Sequence, residues 1–147
     1  MTMTVHKRSI HIDAPVEMVF DHVQDPRNFF AVFPERDRDR SELTSVDLTD
    51  DGVGSTYSWR VGWFGLHMRA SCTREEYVVN ERIVDQSSTG PTWTFTFEPD
   101  LTGTTLTLSF EISSKVPLLD RVEDRLGWNG DEDLDRMLAG FKRAIEE

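Results

Sequence analysis

A single cysteine, Cys72, stands in the 147 residues, so no disulfide within the chain can hold the fold together. No apolar stretch approaches the ~20 residues of a membrane-spanning helix. Residues 1–8 lack the apolar core that a signal peptide carries. These absences make a cytoplasmic protein the expectation. Positive charge is also short: 16 lysines and arginines face 27 aspartates and glutamates, for a net charge of −11. A surface that acidic repels phosphate backbones and anionic headgroups, which argues against nucleic acid or a membrane surface as partner. Lysine is the scarcest charge, three residues against thirteen arginines. An acidic surface suits a high-salt cytoplasm, whereas a GC-rich genome also favours arginine over lysine.

What the chain has in excess is aromatic bulk in two stripes. Tyr57, Trp59, Val61 and Trp63 alternate with Ser58, Arg60 and Gly62. Trp93, Phe95 and Phe97 alternate with Thr94, Thr96 and Glu98. A period of two puts each set on one side of a sheet. Three of the four tryptophans lie in these stripes, more bulk than a small domain needs merely to close a core. The reading they support is a sheet facing an apolar space that holds a small molecule. The length fits one domain spanning residues 1–147.

Along the chain, residues 5–13 alternate loosely and read as a first strand. Ala14-Pro15 then opens a helix, with Asp13 as its cap and Pro in its first turn. Val16, Val19, Phe20 and Val23 follow at helical spacing. Asp25-Pro26 breaks the chain, and residues 28–34 form a short second helix or turn. The alternating charges of residues 36–40 read as a solvated loop. A meander follows, with strands over 43–48, 55–63, 66–77, 81–87, 92–98 and 104–113. Its links are short and turn-rich, which implies antiparallel neighbours. The tail is helical. Leu118, Leu119, Val122 and Leu126 form one amphipathic run, residues 127–130 interrupt it, and a last helix starts at Asp131-Glu132-Asp133. Its buried stripe is Leu134, Met137, Leu138, Phe141 and Ile145.

Titratable groups add little to the inner face. His6 and His11 sit on opposite faces of one strand, which is poor metal geometry. His22 lies near Asp21 and Asp25 on a polar helix end. The segment Asp131-Glu132-Asp133-Leu134-Asp135 is similar to a calcium loop, but Arg136 stands where such a loop needs glycine. Neither metal nor cofactor is expected. Cys72 shares a strand face with Met68 and reads as a buried filler. Parity points Arg60, His67 and Arg69 outward, where only a β-bulge would turn them. Tyr57 is the one weak catalytic candidate, able to hydrogen-bond a carbonyl or enolate. The plainer expectation puts its hydroxyl at the rim or in solvent.

The order of elements, with these residues, resembles the START-related and polyketide-cyclase-like (SRPBCC) superfamily. The carrying segments are Ile10-His11-Ile12-Asp13-Ala14-Pro15, Asp25-Pro26-Arg27-Asn28-Phe29, Gly52-Val53-Gly54-Ser55-Thr56-Tyr57, Glu81-Arg82-Ile83-Val84, Trp93-Thr94-Phe95 and Gly103-Thr104-Thr105-Leu106-Thr107. The resemblance implies an α+β helix-grip fold: a curved antiparallel sheet of about seven strands around a long C-terminal helix, with two short helices after the first strand. It also implies an apolar cavity between sheet and helix. Trp59, Trp63, Met68, Trp93, Phe95, Phe97, Leu108 and Phe110 would line that cavity. Phe29, Phe30, Leu118 and Leu119 would close its ends. The plain alternative for each of these side chains is core packing.

Members of this superfamily include carriers, cyclases and partner-activating domains, so the fold alone does not fix the function. The leading expectation is a carrier of a lipid, isoprenoid, quinone or aromatic polyketide, because few acids or bases point inward. A cyclase or dehydratase acting on an aromatic or poly-β-keto substrate is the second, and a module activating a protein partner the third. The oligomeric state is not legible in the chain. The acidic surface yields one prediction. If it reflects a high-salt cytoplasm, the thermal unfolding midpoint rises markedly from dilute buffer to molar KCl; full stability in dilute buffer refutes that origin.

Overall fold

A computed structural model describes residues 3–33, 41–63, 66–88, 90–113 and 130–147. Its elements are β1 (Met3–Ile12), α1 (Val16–Val23), α2 (Pro26–Ala31), β2 (Ser41–Asp47), β3 (Thr56–Trp63), β4 (Leu66–Val78), β5 (Arg82–Ser87), β6 (Thr92–Pro99), β7 (Thr104–Ser113) and α3 (Gly130–Glu146). The charged segment 36–40 and the run carrying Leu118, Leu119, Val122 and Leu126 lie outside the described residues.

Seven strands form one antiparallel sheet in the order β1-β7-β6-β5-β4-β3-β2. Strands β2 to β7 are a meander of successive hairpins. Strand β1 joins at the far side by pairing with β7 from Met3↔Ser113 to Ile12↔Thr104. The β2–β3 turn is set by glycine. Gly52 sits at φ 87°, and a Cβ there would lie 2.2 Å from the Tyr77 ring, so only glycine satisfies both the turn and the contact.

Two helix boundaries differ from expectation. Asp13 does not cap α1: Pro15 occupies the N-cap position and supplies no side-chain bond. The Ala14-Pro15 step leaves Asp13 too early in the chain, and its carboxylate binds His11 instead, at 2.7 Å from Nε2. Helix α2 starts at Pro26, inside the expected break. Proline suits the first helical position because its φ is already helical and no N–H is wanted there. Asp25 caps α2 by accepting from the Arg27 N–H at 3.0 Å.

One face of the sheet is buried. Leu106, Leu108, Phe110 and Ile112 alternate inward along β7, and Ile83 does so on β5. Helix α3 lies along β1 and β7. Leu134, Met137, Leu138 and Phe141 recur at helical spacing and are at most 1% exposed. Helix α1 covers β6, where the Phe20 and Phe97 rings meet edge-on at 5.0 Å. Phe141 has both the His22 and Phe95 rings against it. Phe141→Ala is therefore expected to cost about 3–5 kcal/mol, read as a lowered urea midpoint with an unchanged slope.

Candidate functional site

The inner face at the β3, β6 and β7 positions is a wall of aromatic rings. Helix α2 delivers Phe29, which lies 5.2 Å from Trp93, 5.1 Å from Phe95 and 6.5 Å from Tyr57, each contact edge-on. Trp93 meets Phe110 at 4.7 Å. Phe33 lies 4.9 Å from Phe29 and stacks on Trp93 at 6.0 Å. Trp59 stacks on Tyr57 at 6.0 Å. The wall is graded. Phe95 and Tyr57 are fully enclosed and Trp93 is 8% exposed, while Phe30, Phe33 and Trp59 are half-buried. It thus runs from the core to a partly open aromatic edge.

Of the side chains expected to line a cavity, Trp59, Trp93, Phe95 and Phe110 come together in this wall. Phe97 is four residues further along β6, against Phe20. Leu108 is a core residue with 0% exposure. The backbone of Trp63 and Met68 is placed, opposite Leu66 and Val61, but their side chains fall outside the described residues, as does Leu118.

Behind the wall lies a polar cluster that the sequence reading missed. Arg74 on β4 is 3% exposed and Asp85 on β5 is 1% exposed. Arg74 Nε donates to Asp85 Oδ1 at 3.0 Å, and Nη2 donates to the Gln24 carbonyl at 3.1 Å. The Tyr57 hydroxyl donates to Asp85 Oδ2 at 2.9 Å. Two expectations are corrected here. Acid and base do point inward, and the Tyr57 hydroxyl reaches neither rim nor solvent. A charge survives in the core when its counter-charge stands opposite it on the neighbouring strand, and Arg74 and Asp85 are register partners. The signal was present in the alternation. Arg74 is in phase with Ala70 and Cys72, and Asp85 with Ile83 and Ser87.

Burial, reinforced by the Asp85 charge, holds the Tyr57 hydroxyl well above its ordinary pKa. Burial likewise pushes the Cys72 thiol up to about 12, so it stays protonated. Arg69 is exposed as parity implied. The β4 irregularity falls between Arg74 and Glu76, too far along to turn it.

Elsewhere, an open cleft of about 450 Å³ lies between α1, α2 and the end of α3, lined by Met18, His22, Asn28 and Ile145 among others. Burial lowers the His22 pKa there. A second, of about 430 Å³, lies over β2, β3 and β4 beside Thr44, Ser58 and Arg69. Neither is lined by the aromatic wall. His6 bonds to Asp131 and His11 to Asp13 and Asp100. Among the described residues no group of three or more His, Cys, Asp or Glu is arranged to hold a metal. No helix among them is long and apolar enough to cross a membrane.

Residues 3–146 match the model of the family described as polyketide cyclase / dehydrase and lipid transport. No curated protein matches the chain. Among solved structures, a polyketide-cyclase-like protein of Corynebacterium glutamicum is 18% identical. It covers 99% of this chain and 93% of its own, with a TM-score of 0.67. A protein of Nitrosomonas europaea is 14% identical over 97% of this chain and 94% of its own, at a TM-score of 0.68. An AHSA1-like protein of Aeromonas hydrophila is 18% identical over 98% and 96%, at 0.61. At such identities the likeness is one of fold, the helix grip.

The Arg74–Asp85 pair supports a prediction. Asp85→Asn leaves a buried guanidinium without its counter-charge and is expected to cost about 3–5 kcal/mol in urea unfolding. The double replacement Arg74→Met with Asp85→Leu should cost clearly less than either single change. Equal and additive losses would show that the two do not act as a pair.

Proposed function

The chain belongs to the polyketide cyclase / dehydrase and lipid transport family of the SRPBCC superfamily, and on that premise we propose that it binds a small hydrophobic ligand without transforming it. The observation that carries the reading is the graded aromatic wall. Rings from α2, β3, β6 and β7 face one another, and Phe33 and Trp59 present half-buried faces at its edge. Apolar walls with few polar groups are what small-molecule sites are made of. Only the half-buried rings, Phe30, Phe33 and Trp59, keep apolar surface to offer a ligand. A flat, ring-bearing or isoprenoid molecule fits such a surface best, through offset-stacked and edge-on contacts.

The polar cluster supports binding over catalysis. A cyclase or dehydratase needs a base or an acid free to exchange a proton with substrate. Both carboxylate oxygens of Asp85 already accept from Arg74 or Tyr57, and the Tyr57 proton is committed to Asp85. The thiol of Cys72 is held protonated. The groups that could do chemistry satisfy one another instead. This is a different ground for the carrier reading from the one the sequence offered.

The test is a titration of the protein with a panel of apolar fluorophores, followed through their emission and through tryptophan quenching. Saturable binding is expected, and Trp59→Ala should weaken it about tenfold or more while leaving the unfolding midpoint near the native one, because Trp59 is only half-buried. Native mass spectrometry of the gently purified protein should show a trapped apolar mass. No binding to any probe refutes the reading. Turnover of a poly-β-keto substrate, abolished by Tyr57→Phe, would replace it with the enzyme.

A further inference from the structure

At the end of the sheet away from Trp93, one histidine joins three separate parts of the chain. His11 is next to last in β1. Its Nδ1 is 2.6 Å from Asp100 Oδ2 in the β6–β7 hairpin, and its Nε2 is 2.7 Å from Asp13 Oδ1 in the link to α1. The Thr102 hydroxyl oxygen stands 3.1 Å from Nε2. Asp100 is held in turn by the Thr105 hydroxyl at 2.9 Å and the Thr102 N–H at 3.1 Å. Helix α3 reaches the same point. Lys142 Nζ donates to the His11 carbonyl at 2.8 Å, and Glu146 accepts from the Asp13 N–H at 3.0 Å. Lys142 and Glu146 also pair with each other at 2.6 Å.

We propose that His11 is a proton-operated clasp that fastens the β6–β7 hairpin and the link to α1 to the end of β1. The argument is one of donors. A carboxylate only accepts, and a neutral imidazole carries a single N–H. Both contacts are made at once only by the imidazolium. Loss of its proton removes one bond and leaves Asp13 and Asp100 facing each other with less positive charge between them. The other groups facing the ring are the hydroxyls of Thr102 and Thr105. Lys142 and Glu146 balance one another and touch only the backbone on either side of it. With His11 charged the cluster of His11, Lys142, Asp13, Asp100 and Glu146 carries a net −1; with His11 neutral it carries −2.

Hydrogen bonds to Asp13 and then Asp100 raise the His11 pKa above its ordinary value. Loss of solvent pushes the Asp100 carboxyl up, but bonds from His11, the Thr102 N–H and Thr105 outweigh it and hold it low. The sign follows from linkage. A group with a raised folded pKa stabilises fully below the unfolded value, about 6.5 for histidine, and loses that effect as pH rises through the raised value. The clasp is therefore closed in mild acid and opens on the alkaline side. It stands on these contacts alone, whatever the aromatic wall holds.

The test is an NMR pH titration of the intact protein. The His11 ring should titrate above the ordinary histidine midpoint. The amide shifts of Asp13, Thr102 and Gly103 should move with that same midpoint, the link to α1 and the hairpin both reporting one proton. His11→Gln should abolish the shared step, and Asp100→Asn should lower the midpoint. If a variant does not fold, the native titration still decides. A ring that titrates at or below its ordinary value, or hairpin and link amides that ignore it, overturns the proposal.

Discussion

The buried contact between Arg74 and Asp85 constrains the sheet more tightly than any apolar pair can. Removing either charge from water alone costs several kcal/mol, and only near-ideal geometry with further hydrogen bonds offsets the loss for both. The structure meets that condition from three directions. Arg74 also caps the Gln24 carbonyl at the end of α1 and lies 5.5 Å from the Tyr77 ring centroid, while Tyr57 completes Asp85. Strands β3, β4 and β5 and helix α1 are thereby locked in mutual register. A one-residue slip of β4 against β5 would expose one charge and strand the other inside. The irregularity at Glu75 belongs to the same arrangement. It lets Arg74 and Tyr77, three residues apart, both face inward.

The aromatic wall depends on this pin. Arg74 fixes the carbonyl of Gln24, and the next residue, Asp25, caps α2. Helix α2 is short, and its place decides where Phe29 and Phe33 stand. Phe29 is the ring that the others share: Phe33, Tyr57, Trp93 and Phe95 all touch it edge-on. The polar cluster and the apolar wall are thus two sides of one construction. A ligand stacked at the Trp59 edge would rest on a surface whose geometry is set by charges it never touches.

Much of this was legible in the alternation of the chain, and the failures are instructive. The strands and the stripe of α3 follow from periods of two and of about 3.6, and both patterns are strong here. The wall residues Trp59, Trp93, Phe95 and Phe110 follow from the same parity. Arg74 and Asp85 obey it too, yet a lone charge at an inward position reads as an error until its partner is known. That partner lies on another strand, and pairing across strands is not written in local spacing. The Tyr57 hydroxyl was misjudged for the same reason, since its acceptor is 28 residues away. Asp13 failed as a cap because Pro15 takes the N-cap position and the Asp13 carboxylate turns back to His11 on β1.

Charge placement explains how an acidic chain positions its last helix. Strand β1 contains no acid and carries His6, Lys7, Arg8 and His11. Helix α3 answers with Asp131 against His6 and Asp135 against Arg8, a turn apart, and with Glu146 at the Asp13 backbone. Exposed pairs of this kind contribute about 0–1 kcal/mol each, so they do not hold the helix down; the buried Leu134, Met137, Leu138 and Phe141 do that. What the pairs supply is register, because an apolar stripe alone tolerates a shift along its axis. Gly130 makes the register possible, since a Cβ there would strike the His6 ring at 2.4 Å. Strand β1 is also a sheet edge, where unpaired backbone invites association. Lys142 on the His11 carbonyl and Glu146 on the Asp13 N–H occupy polar groups at the end of that edge. His6, Arg8 and Lys142 thus stand where the position of the helix along β1 is set.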